Sequence, residues 1–353
     1  MAASALVLGC AGVLLIGSAD LHAPNPGSEW HKQAIFVALG LAAMALCAAI
    51  DYHRWERWAR TLYIASVALL AFVMLAGHSA LGAQRWVSLG PFQFQPSEPA
   101  KLVIAIAVAA LLARKGEVGW QRIGLAALGV AVPALLILKQ PDLGTALVLG
   151  AILSAQLFAG ASRMRYVVAY AAIVGALGAL VAGTNLVLRP FQRTRLLAFL
   201  HPNADPQGAG WNLAQAKIAI GNGELYGRGL GHGSQTQLDF VPEHSRDFIF
   251  TVVGEELGFV GVCGLIGLYG IVLFGGIQAM FAARERFGAL LAVGLVAMLA
   301  FHVVVNVGMT VGVMPITGIP LPFLSYGGTA VLTDFAAVGI LLNIHLQRDR
   351  LVF

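Results

Sequence analysis

The sequence predicts an all-α polytopic membrane protein with about ten transmembrane helices and one large extracellular loop. Its 353 residues are 58% hydrophobic and only 11% charged, whereas about a quarter of the residues in a soluble domain are charged. Uncharged stretches of about 17–25 residues are long enough to cross a bilayer. Apolar segments fall near residues 3–18, 34–50, 62–80, 97–113, 121–138, 143–159, 166–187, 248–281, 288–313 and 327–346.

The distribution of Lys and Arg predicts the orientation in the cytoplasmic membrane. Twelve of the 22 basic residues lie in five short pieces, DYHRWERWAR, ARKGEVGWQR, ASRMRY, AARER and QRDR. Short loops rich in Lys and Arg face the cytoplasm. We therefore expect both termini inside and the connections 19–33, 81–96, 139–142, 188–247 and 314–326 outside. The first apolar run lacks a basic start, which favours a membrane helix over a cleaved signal peptide.

The connection 188–247 is the predicted large extracellular loop, between helices 7 and 8 of a single integral membrane domain, 1–353. Its length, about 60 residues, is typical of a functional loop. Its basic residues suit either a solvated surface or a surface for an anionic lipid head group; they are Arg189, Arg193, Arg195, Lys217, Arg228 and Arg246. WNLAQAKIAI (211–220) predicts a short amphipathic helix. The following GNGELYGRGLGHG is either a turn or re-entrant segment, or a row of amides that cradles a phosphate.

Several kinds of chemistry lack support in the sequence. There is no HExxH, no Cys/His cluster and no GxSxG, so zinc hydrolysis and serine-nucleophile catalysis are not expected. The three cysteines lack CxxC spacing and read as packing residues. No nucleic-acid partner is expected. Ionisable residues at membrane depth remain as the functional candidates.

Two motifs place charge at the predicted outer ends of helices. In QPSEPAKL (95–102), Ser97 is a predicted N-cap, and Lys101 follows Glu98 by three residues. Lys101 either forms an intrahelical ion pair or neutralises a phosphate or carboxylate. In KQPDLGTALVLG (139–150), Asp142 either caps the helix that it opens or pairs with Lys101.

The stretch HSRDFIFTVVGEELGFVG (244–261) brings three carboxylates to the start of an apolar run. Asp247 either caps the eighth helix or faces a cavity. Glu255 lies about 12 Å further along a helix on broadly the same side, and Glu256 on the opposite side. One of the two glutamates is expected to cap a neighbouring helix or to face a polar cavity.

Residues 306–330, NVGMTVGVMPITGIPLPFLSYGGTA, predict a broken helix. Pro315, Pro320 and Pro322 interrupt it, and Gly327 and Gly328 permit close packing where it restarts. Broken backbone at membrane depth is tolerated only where protein or a water-filled cavity satisfies its polar groups. The sequence therefore predicts a cavity here.

Taken together, these motifs resemble the shape, elongation, division and sporulation (SEDS) family. The resemblance rests on GAQRWVSLGPFQFQPSEPAKL (82–102), KQPDLGTALV (139–148), the stretch 212–259, and GVMPITGIPLPFLSYGGTA after Asn306. It implies a peptidoglycan glycosyltransferase that polymerises lipid II at the outer face of the membrane. It also implies a class B penicillin-binding protein, a transpeptidase, and other elongation-complex membrane proteins as partners. AQRW and GILLNIH resemble the elongation branch more than the division branch.

The resemblance also implies roles for individual residues. The essential acidic residue of the family corresponds to Asp247, the expected general base, while Arg246 stands where the family usually has Thr. Lys101, Glu98, Asp142, Arg246 and Arg228 are expected to bind substrate or line the cavity. Glu255, Glu256, Ser325, Gly327, Gly328 and Pro315 are expected to support them. A metal requirement is unknown; a divalent cation is one possible aid to the departing pyrophosphate.

Two other functions stay open at this point. A transporter that flips the lipid-linked precursor would also need about ten helices, a polar cavity and broken helices. A non-catalytic scaffold of the cell-wall synthesis complex is the third reading. Clustering of the ionisable residues on one face favours the enzyme.

Overall fold

The computed structural model describes residues 1–21, 28–76, 78–80, 83–89, 92–161, 163–183, 199, 208–238, 240–241 and 243–347. The helices in these ranges are α1 (Ala2–Ala19), α2 (Ser28–Ala49), α3 (Tyr52–Ala76), α4 (Ser97–Ala113), α5 (Trp120–Lys139), α6 (Leu143–Gly160), α7 (Met164–Gly183), α8 (Ala209–Asn222), α9 (Ser234–Gln237), α10 (Ile249–Ala282), α11 (Arg286–Val311) and α12 (Gly328–Leu346). Arg189, Arg193, Arg195, Arg348 and Arg350 lie outside the described residues.

The predicted fold class is confirmed. Each of the ten predicted spans corresponds to one of the long helices α1–α7 and α10–α12. Eight of these are at least 18 residues long and apolar enough to cross a membrane. The other two are α4, of 17 residues, and α7, of 20 residues, which carries Arg165 near its start. The chain is a multi-pass membrane protein.

The prediction for the third helix was wrong at both ends. It was expected at residues 62–80, but α3 runs over Tyr52–Ala76 and includes the basic stretch that was assigned to a loop. That stretch contains no Gly or Pro to stop a helix, and its Trp and Arg side chains suit the membrane interface. Three short antiparallel strands follow in the order β1 (His78–Ala80), β2 (Ala83–Leu89) and β3 (Phe92–Phe94).

The chain forms two compact units. The first comprises residues 1–42, 190–272 and 302–335, and the second comprises 43–189, 273–301 and 336–353, as far as these are described. In the second unit, the buried Gln156 of α6 donates from Nε2 to the carbonyls of Ala105 (2.9 Å) and Leu290 (3.0 Å). A buried amide between helices in this way is typical of membrane helix packing. Gly294 leaves room for this side chain, since a Cβ there would collide with Gln156 Nε2.

In the first unit, α8 is the predicted amphipathic helix, and it begins two residues before the expected start. Its buried side recurs at Leu213, Ala216 and Ala219, whereas Trp211 and Lys217 are exposed. The buried side packs into a cluster with Val241, Phe248, Met309 and Ile316. Burial of this stripe fixes α8 on the helices that follow it, because apolar area is removed from water or from the interface.

Helix α10 is interrupted at Gly258, whose φ of 64° and ψ of −164° lie outside the helical region. The glycine-rich segment takes over the hydrogen bonds that the break would leave unmade. Residues 224–229 and 255–260 exchange four backbone bonds, namely Arg228 N to Glu255 O (2.9 Å), Gly229 N to Glu256 O (3.0 Å), Phe259 N to Glu224 O (2.9 Å) and Val260 N to Leu225 O (3.0 Å). We call this exchange the glycine clamp.

The glycine clamp bears on the two interpretations of GNGELYGRGLGHG, which were a turn or re-entrant segment and a row of amides that cradles a phosphate. A Cβ on Gly227 would collide with the carbonyl of Glu256, so the close approach requires glycine. The amides of Arg228 and Gly229 are occupied within the protein, and that of Gly231 donates to Ser18 Oγ (2.6 Å). These three amides are therefore not available to a phosphate, and through them the segment packs against α10 and α1 within the first unit.

Candidate functional site

Asp247 lies two residues before α10, in the first unit, and is partly exposed. Its carbonyl accepts a hydrogen bond of 2.8 Å from Nδ2 of the buried Asn306 on α11. The same amide group donates to the carbonyl of Ile319 at 2.8 Å. One side chain thereby links the peptide of Asp247 to the broken stretch after α11.

The two residues before Asp247 are held in the same way. Ser325 Oγ donates to the carbonyl of Arg246 (2.6 Å) and accepts from the amide of Leu321 (2.8 Å). The amide of Tyr326 donates to the carbonyl of Ser245 (2.8 Å). Three consecutive carbonyls are thus fixed by residues 306–326, and we call residues 245–247 with these partners the Asp247 frame.

The broken stretch itself has the backbone that its glycines and prolines predict. Gly312 and Gly318 adopt φ values of 80° and 71°, and the buried Phe323 adopts 66°, which is unusual for a residue with a side chain. Pro315 is partly buried. The carbonyl of Pro322 accepts from Tyr269 Oη at 2.6 Å, as expected if protein satisfies the freed polar groups.

Close packing against α1 and α2 completes the stretch. A Cβ on Gly12 would lie 2.7 Å from the carbonyl of Leu324, and one on Gly328 would lie 2.6 Å from the ring of Phe36. Gln33 of α2 donates from Nε2 to the carbonyl of Ser325 at 3.1 Å, and its Oε1 accepts from the amide of Gly327 at 3.4 Å. Gly327, Gly328 and Ser325 therefore support the Asp247 frame from behind.

The side chain of Arg246 is engaged by carboxylates. It lies 3.3 Å from Glu243 Oε2 and 3.9 Å from Glu29 Oε1, and its guanidinium stands 5.6 Å from the centroid of the Tyr326 ring. Ser245 Oγ donates to Glu29 Oε2 at 2.8 Å. Two neighbouring carboxylates offset the single positive charge, which reduces what Arg246 can offer to a phosphate.

Sequence reasoning missed two acidic residues of this region, Asp20 and Glu29. Asp20 is buried, and its Oδ2 accepts from the amide of Glu29 at 3.3 Å. Burial, with the charge of Glu29 adding to it, raises the pKa of Asp20 above its ordinary value. The sequence signal that could have identified them is the position of two carboxylates on either side of the connection between α1 and α2. Neither residue belongs to one of the motifs analysed in the sequence.

Glu255 and Glu256 bind to different partners. Glu255 is fully buried and accepts from the amides of Gln235 (2.8 Å) and Thr236 (3.0 Å), and from Thr236 Oγ1 (2.8 Å), at the N-terminus of α9. Glu256 accepts from Ser18 Oγ of α1 at 2.6 Å. The structure thus places Glu255 as the cap of a short neighbouring helix, while Glu256 ties α10 to α1.

In the second unit, Glu98 and Lys101 form a buried ion pair at the start of α4. Lys101 Nζ lies 2.7 Å from Glu98 Oε2, and the side chains are 1% and 4% exposed for Lys101 and Glu98, respectively. The prediction of Ser97 as N-cap was wrong, because Pro96 occupies that position and Ser97 is the first helical residue. Ser97 Oγ instead accepts from Gln95 Nε2 at 2.9 Å.

Asp142 caps α6 and connects to the start of α4. Its carboxylate accepts from the amide of Thr145 (3.1 Å) and from Thr145 Oγ1 (2.9 Å), as an N-cap should. Gln95 Nε2 also donates to Asp142 Oδ2 at 3.3 Å. Gln95 therefore bridges the beginnings of α4 and α6, and the residues of the QPSE and QPDLGT motifs form one polar cluster.

The contacts given by Arg228 are with α8 and α10, and not with the residues of the Asp247 frame. It is exposed, and its Nε donates to the carbonyl of Asn222 at 2.8 Å, which caps the end of α8. Within the described ranges, no group of three or more His, Cys, Asp or Glu residues has the arrangement of a metal site.

Comparisons with known proteins agree with this architecture. Residues 1–350 match the model of the cell cycle protein family of FtsW, RodA and SpoVE. The peptidoglycan glycosyltransferase MrdB of Escherichia coli K12 is 39% identical over 316 residues, covering 89% of this chain and 85% of that protein. A probable peptidoglycan glycosyltransferase FtsW of Trichlorobacter lovleyi is 38% identical over 332 residues, covering 89% of this chain and 82% of that protein.

A solved structure is similar over almost the whole chain. It comes from a peptidoglycan synthase complex studied for the structural coordination of polymerization and crosslinking. The TM-score is 0.81 with 34% sequence identity, and the match covers 98% of both chains. With the family model, the relatives and the solved fold in agreement, this chain belongs to the FtsW, RodA and SpoVE family.

Proposed function

We propose that this protein is a peptidoglycan glycosyltransferase that polymerises lipid II into glycan strands. The observation that carries the proposal is the Asp247 frame: a partly exposed acidic residue whose carbonyl is bound by Asn306, directly after two carbonyls bound by Tyr326 and Ser325. Relatives at 38–39% identity bear the name peptidoglycan glycosyltransferase. A rigidly held acidic residue in such a chain suits acid–base chemistry, since small misplacements of a catalytic group are costly in rate.

Asp247 is the general base in this proposal. The acceptor sugar hydroxyl has a high pKa, so its proton must leave as the new bond forms. The hydroxyl oxygen bonds to the anomeric carbon of the donor, the bond from that carbon to the pyrophosphate oxygen breaks, and the proton passes to the carboxylate of Asp247. Direct displacement inverts the anomeric centre and gives a β-linked polymer from an α-linked donor.

The departing pyrophosphate needs positive charge or hydrogen-bond donors. The candidates are Arg228, the other basic residues of 188–247 apart from Arg246, and a bound divalent cation. Lys101 is a further candidate if the leaving group displaces Glu98 from their buried pair. Arg246 is assigned a different part, because Glu29 and Glu243 already offset its charge and it lies against Tyr326. Its contribution is to hold the peptide before Asp247 in place. Activity measured across a chelator and Mg²⁺ or Mn²⁺ series separates the cation from the side chains.

The proposed setting is the cytoplasmic membrane with the active site outside and both termini inside, as the distribution of Lys and Arg favours. At the outer face the driving force comes from the polyprenyl pyrophosphate leaving group. The proposed partners are a class B penicillin-binding protein and other elongation-complex membrane proteins. A role in elongation rests on the AQRW and GILLNIH motifs, since relatives named MrdB and FtsW are about equally similar.

The test is polymerisation of lipid II by the purified chain with its partner, comparing the natural protein with Asp247→Asn. We expect the rate to fall by about 10²- to 10⁴-fold, the usual contribution of a general base. The matched control is Glu117→Gln, which removes a carboxylate from an exposed connection and should leave the rate unchanged. Full activity of Asp247→Asn would remove Asp247 as the base.

The two other functions give different results in the same system. A transporter would move lipid II across sealed vesicles without forming glycan. A scaffold would tolerate Asp247→Asn while changes at its partner interface abolish synthesis by the complex. Full activity of Lys101→Ala, corrected for folded protein, would reduce Lys101 to a structural residue.

A further inference from the structure

A basic-rimmed apolar groove lies between α3, α4 and α5 in the second unit. The cavity has a volume of about 440 Å³, within the range of small-molecule sites. Its charged rim consists of Glu56, Arg57, Arg60 and Arg114, and its wall includes Ile104, Val108, Leu111 and Leu125. No step of the proposed reaction uses this groove.

The charges gather at one end of the groove. Arg57 and Arg60 lie near the start of α3, and Arg114 follows the last residue of α4. Ile104 lies ten residues before Arg114, which is about 15 Å along a helix. The groove therefore has a cationic mouth at one end and an apolar channel about as long as most of an acyl chain.

Both the mouth and the channel suit a lipid. Arg57, Arg60 and Arg114 are exposed, and with Glu56 as the carboxylate among the lining residues the net charge is about +2. Leu125 is 57% exposed on the channel wall. At the deeper level, Tyr63 Oη donates to the carbonyl of Gly129 at 2.8 Å and links α3 to α5.

Arg122 shows what a structural arginine looks like in the same neighbourhood. Its guanidinium donates to the carbonyls of Arg114 (2.6 Å), Gly116 (3.2 Å) and Lys115 beyond the C-terminus of α4. It satisfies backbone groups that the helix end leaves unpaired. Arg57, Arg60 and Arg114 instead line the cavity and are exposed.

We propose that this groove binds an anionic phospholipid of the cytoplasmic leaflet. The phosphate lies among Arg57, Arg60 and Arg114, and one acyl chain follows α4 toward Ile104. Guanidinium groups match phosphate oxygens in geometry and charge. The distribution of basic residues predicts that this end of the helices is cytoplasmic, where pockets of this kind between helices bind anionic head groups. A zwitterionic head group would bring its own cation to a mouth that is already positive.

The test is equilibrium binding of phosphatidylglycerol and phosphatidylcholine to the delipidated full-length protein in detergent. We expect preference for phosphatidylglycerol, and a loss of at least tenfold in its affinity in Arg57→Gln/Arg60→Gln/Arg114→Gln, since each basic residue near anionic lipid contributes about fivefold. The matched control is Arg54→Gln, an exposed arginine of α3 outside the groove lining. Its affinity should stay within twofold of the natural protein.

A second variant keeps the test sharp if the triple variant unfolds. Ala107→Trp fills the channel and leaves every charge in place, so it should weaken phosphatidylglycerol binding while thermal unfolding confirms a folded protein. Equal binding of both lipids, an equal loss in Arg54→Gln, or unchanged binding in folded Ala107→Trp would overturn the proposal. Displacement of phosphatidylglycerol by an equimolar polyprenyl phosphate would also overturn it, because the groove would then belong to the substrate's lipid carrier.

Discussion

Asp247 and Glu255 stand eight residues apart in one segment, and the structure holds them in different ways. Glu255 is fully buried, and its carboxylate is consumed by the amides and hydroxyl that begin α9. Asp247 is partly exposed, and its peptide, together with the two before it, is held by Asn306, Ser325 and Tyr326. The carboxylate of Glu255 therefore helps to build the first unit. At Asp247, by contrast, the surrounding residues bind and fix the main chain.

The difference shows how to separate structural from functional charge in a membrane protein. A carboxylate that caps a helix is stabilising because it satisfies buried donors. At Asp247 the bonds from Asn306, Ser325 and Tyr326 reach the carbonyls of residues 245–247, so it is the main chain that the neighbouring residues fix. The Glu98–Lys101 pair in the second unit falls on the structural side by this criterion, since each charge offsets the other in a buried site.

The largest expected effect comes from breaking the glycine clamp on the Glu255 side of the comparison. Gly258→Ala puts a Cβ against the amide of Gly227 and imposes a positive φ on a residue with a side chain. We expect a loss of about 5 kcal/mol or more, from backbone strain together with collision against main-chain atoms. Gly264→Ala on the same helix has no atom within 4 Å of the new Cβ and should be neutral. Equal thermal unfolding of the two variants would contradict the clamp.

The next effect tests whether the Glu98–Lys101 pair is structural. Lys101→Met leaves Glu98 buried without its cation and should destabilise by about 3–5 kcal/mol. Glu98→Gln/Lys101→Met removes both charges and should recover most of that loss. Chemical or thermal unfolding in detergent measures both variants. If the double variant unfolds as easily as the single one, the pair is not what holds this end of α4.

A smaller effect comes from the same isosteric change at the two compared carboxylates. Glu255→Gln weakens the charge-assisted bonds to α9 and should cost about 1–2 kcal/mol of stability. Its glycan synthesis per folded molecule should stay near the natural level. Asp247→Asn should do the reverse, with unfolding unchanged and synthesis lost. Loss of synthesis in folded Glu255→Gln would place that residue in the reaction and would contradict the distinction between a structural Glu255 and a functional Asp247.

The smallest change in stability is expected at Ser325. Ser325→Ala removes the bonds to Arg246 and Leu321 and should cost about 1 kcal/mol. Because the frame is loosened, kcat/KM should fall by about tenfold. Ser154→Ala removes a hydroxyl bound to the carbonyl of Gly150 within α6 and should leave kcat/KM unchanged. A fall in kcat/KM no larger than the loss of folded protein would argue against positioning by Ser325.

The helices and the broken stretch were predictable because hydropathy, Pro and Gly act locally. The predicted spans match the observed helices, and Asp142 caps α6 as its place before an apolar run indicates. The partners of Asp247 were not predictable, since Asn306 and Ser325 lie 59 and 78 residues further along the chain. Glu29 was missed for the same reason, because its contact with Arg246 arises from tertiary packing, and Asp20 was missed with it because it binds the amide of Glu29. The predicted start of α3 was wrong because a helix end that is rich in Arg and Trp at the membrane interface has the composition of a loop.

The glycine clamp has a mechanical consequence for α10. The break at Gly258 would act as a free hinge if its backbone groups faced water, but four hydrogen bonds splint it to residues 224–229. Bending at this point must carry those residues along or break the splint. A partner that pushes on α10 beyond Gly258 would therefore move the chain between α8 and α9, and the amides of Arg228 and Gly229 should exchange with deuterium as slowly as those of a buried helix.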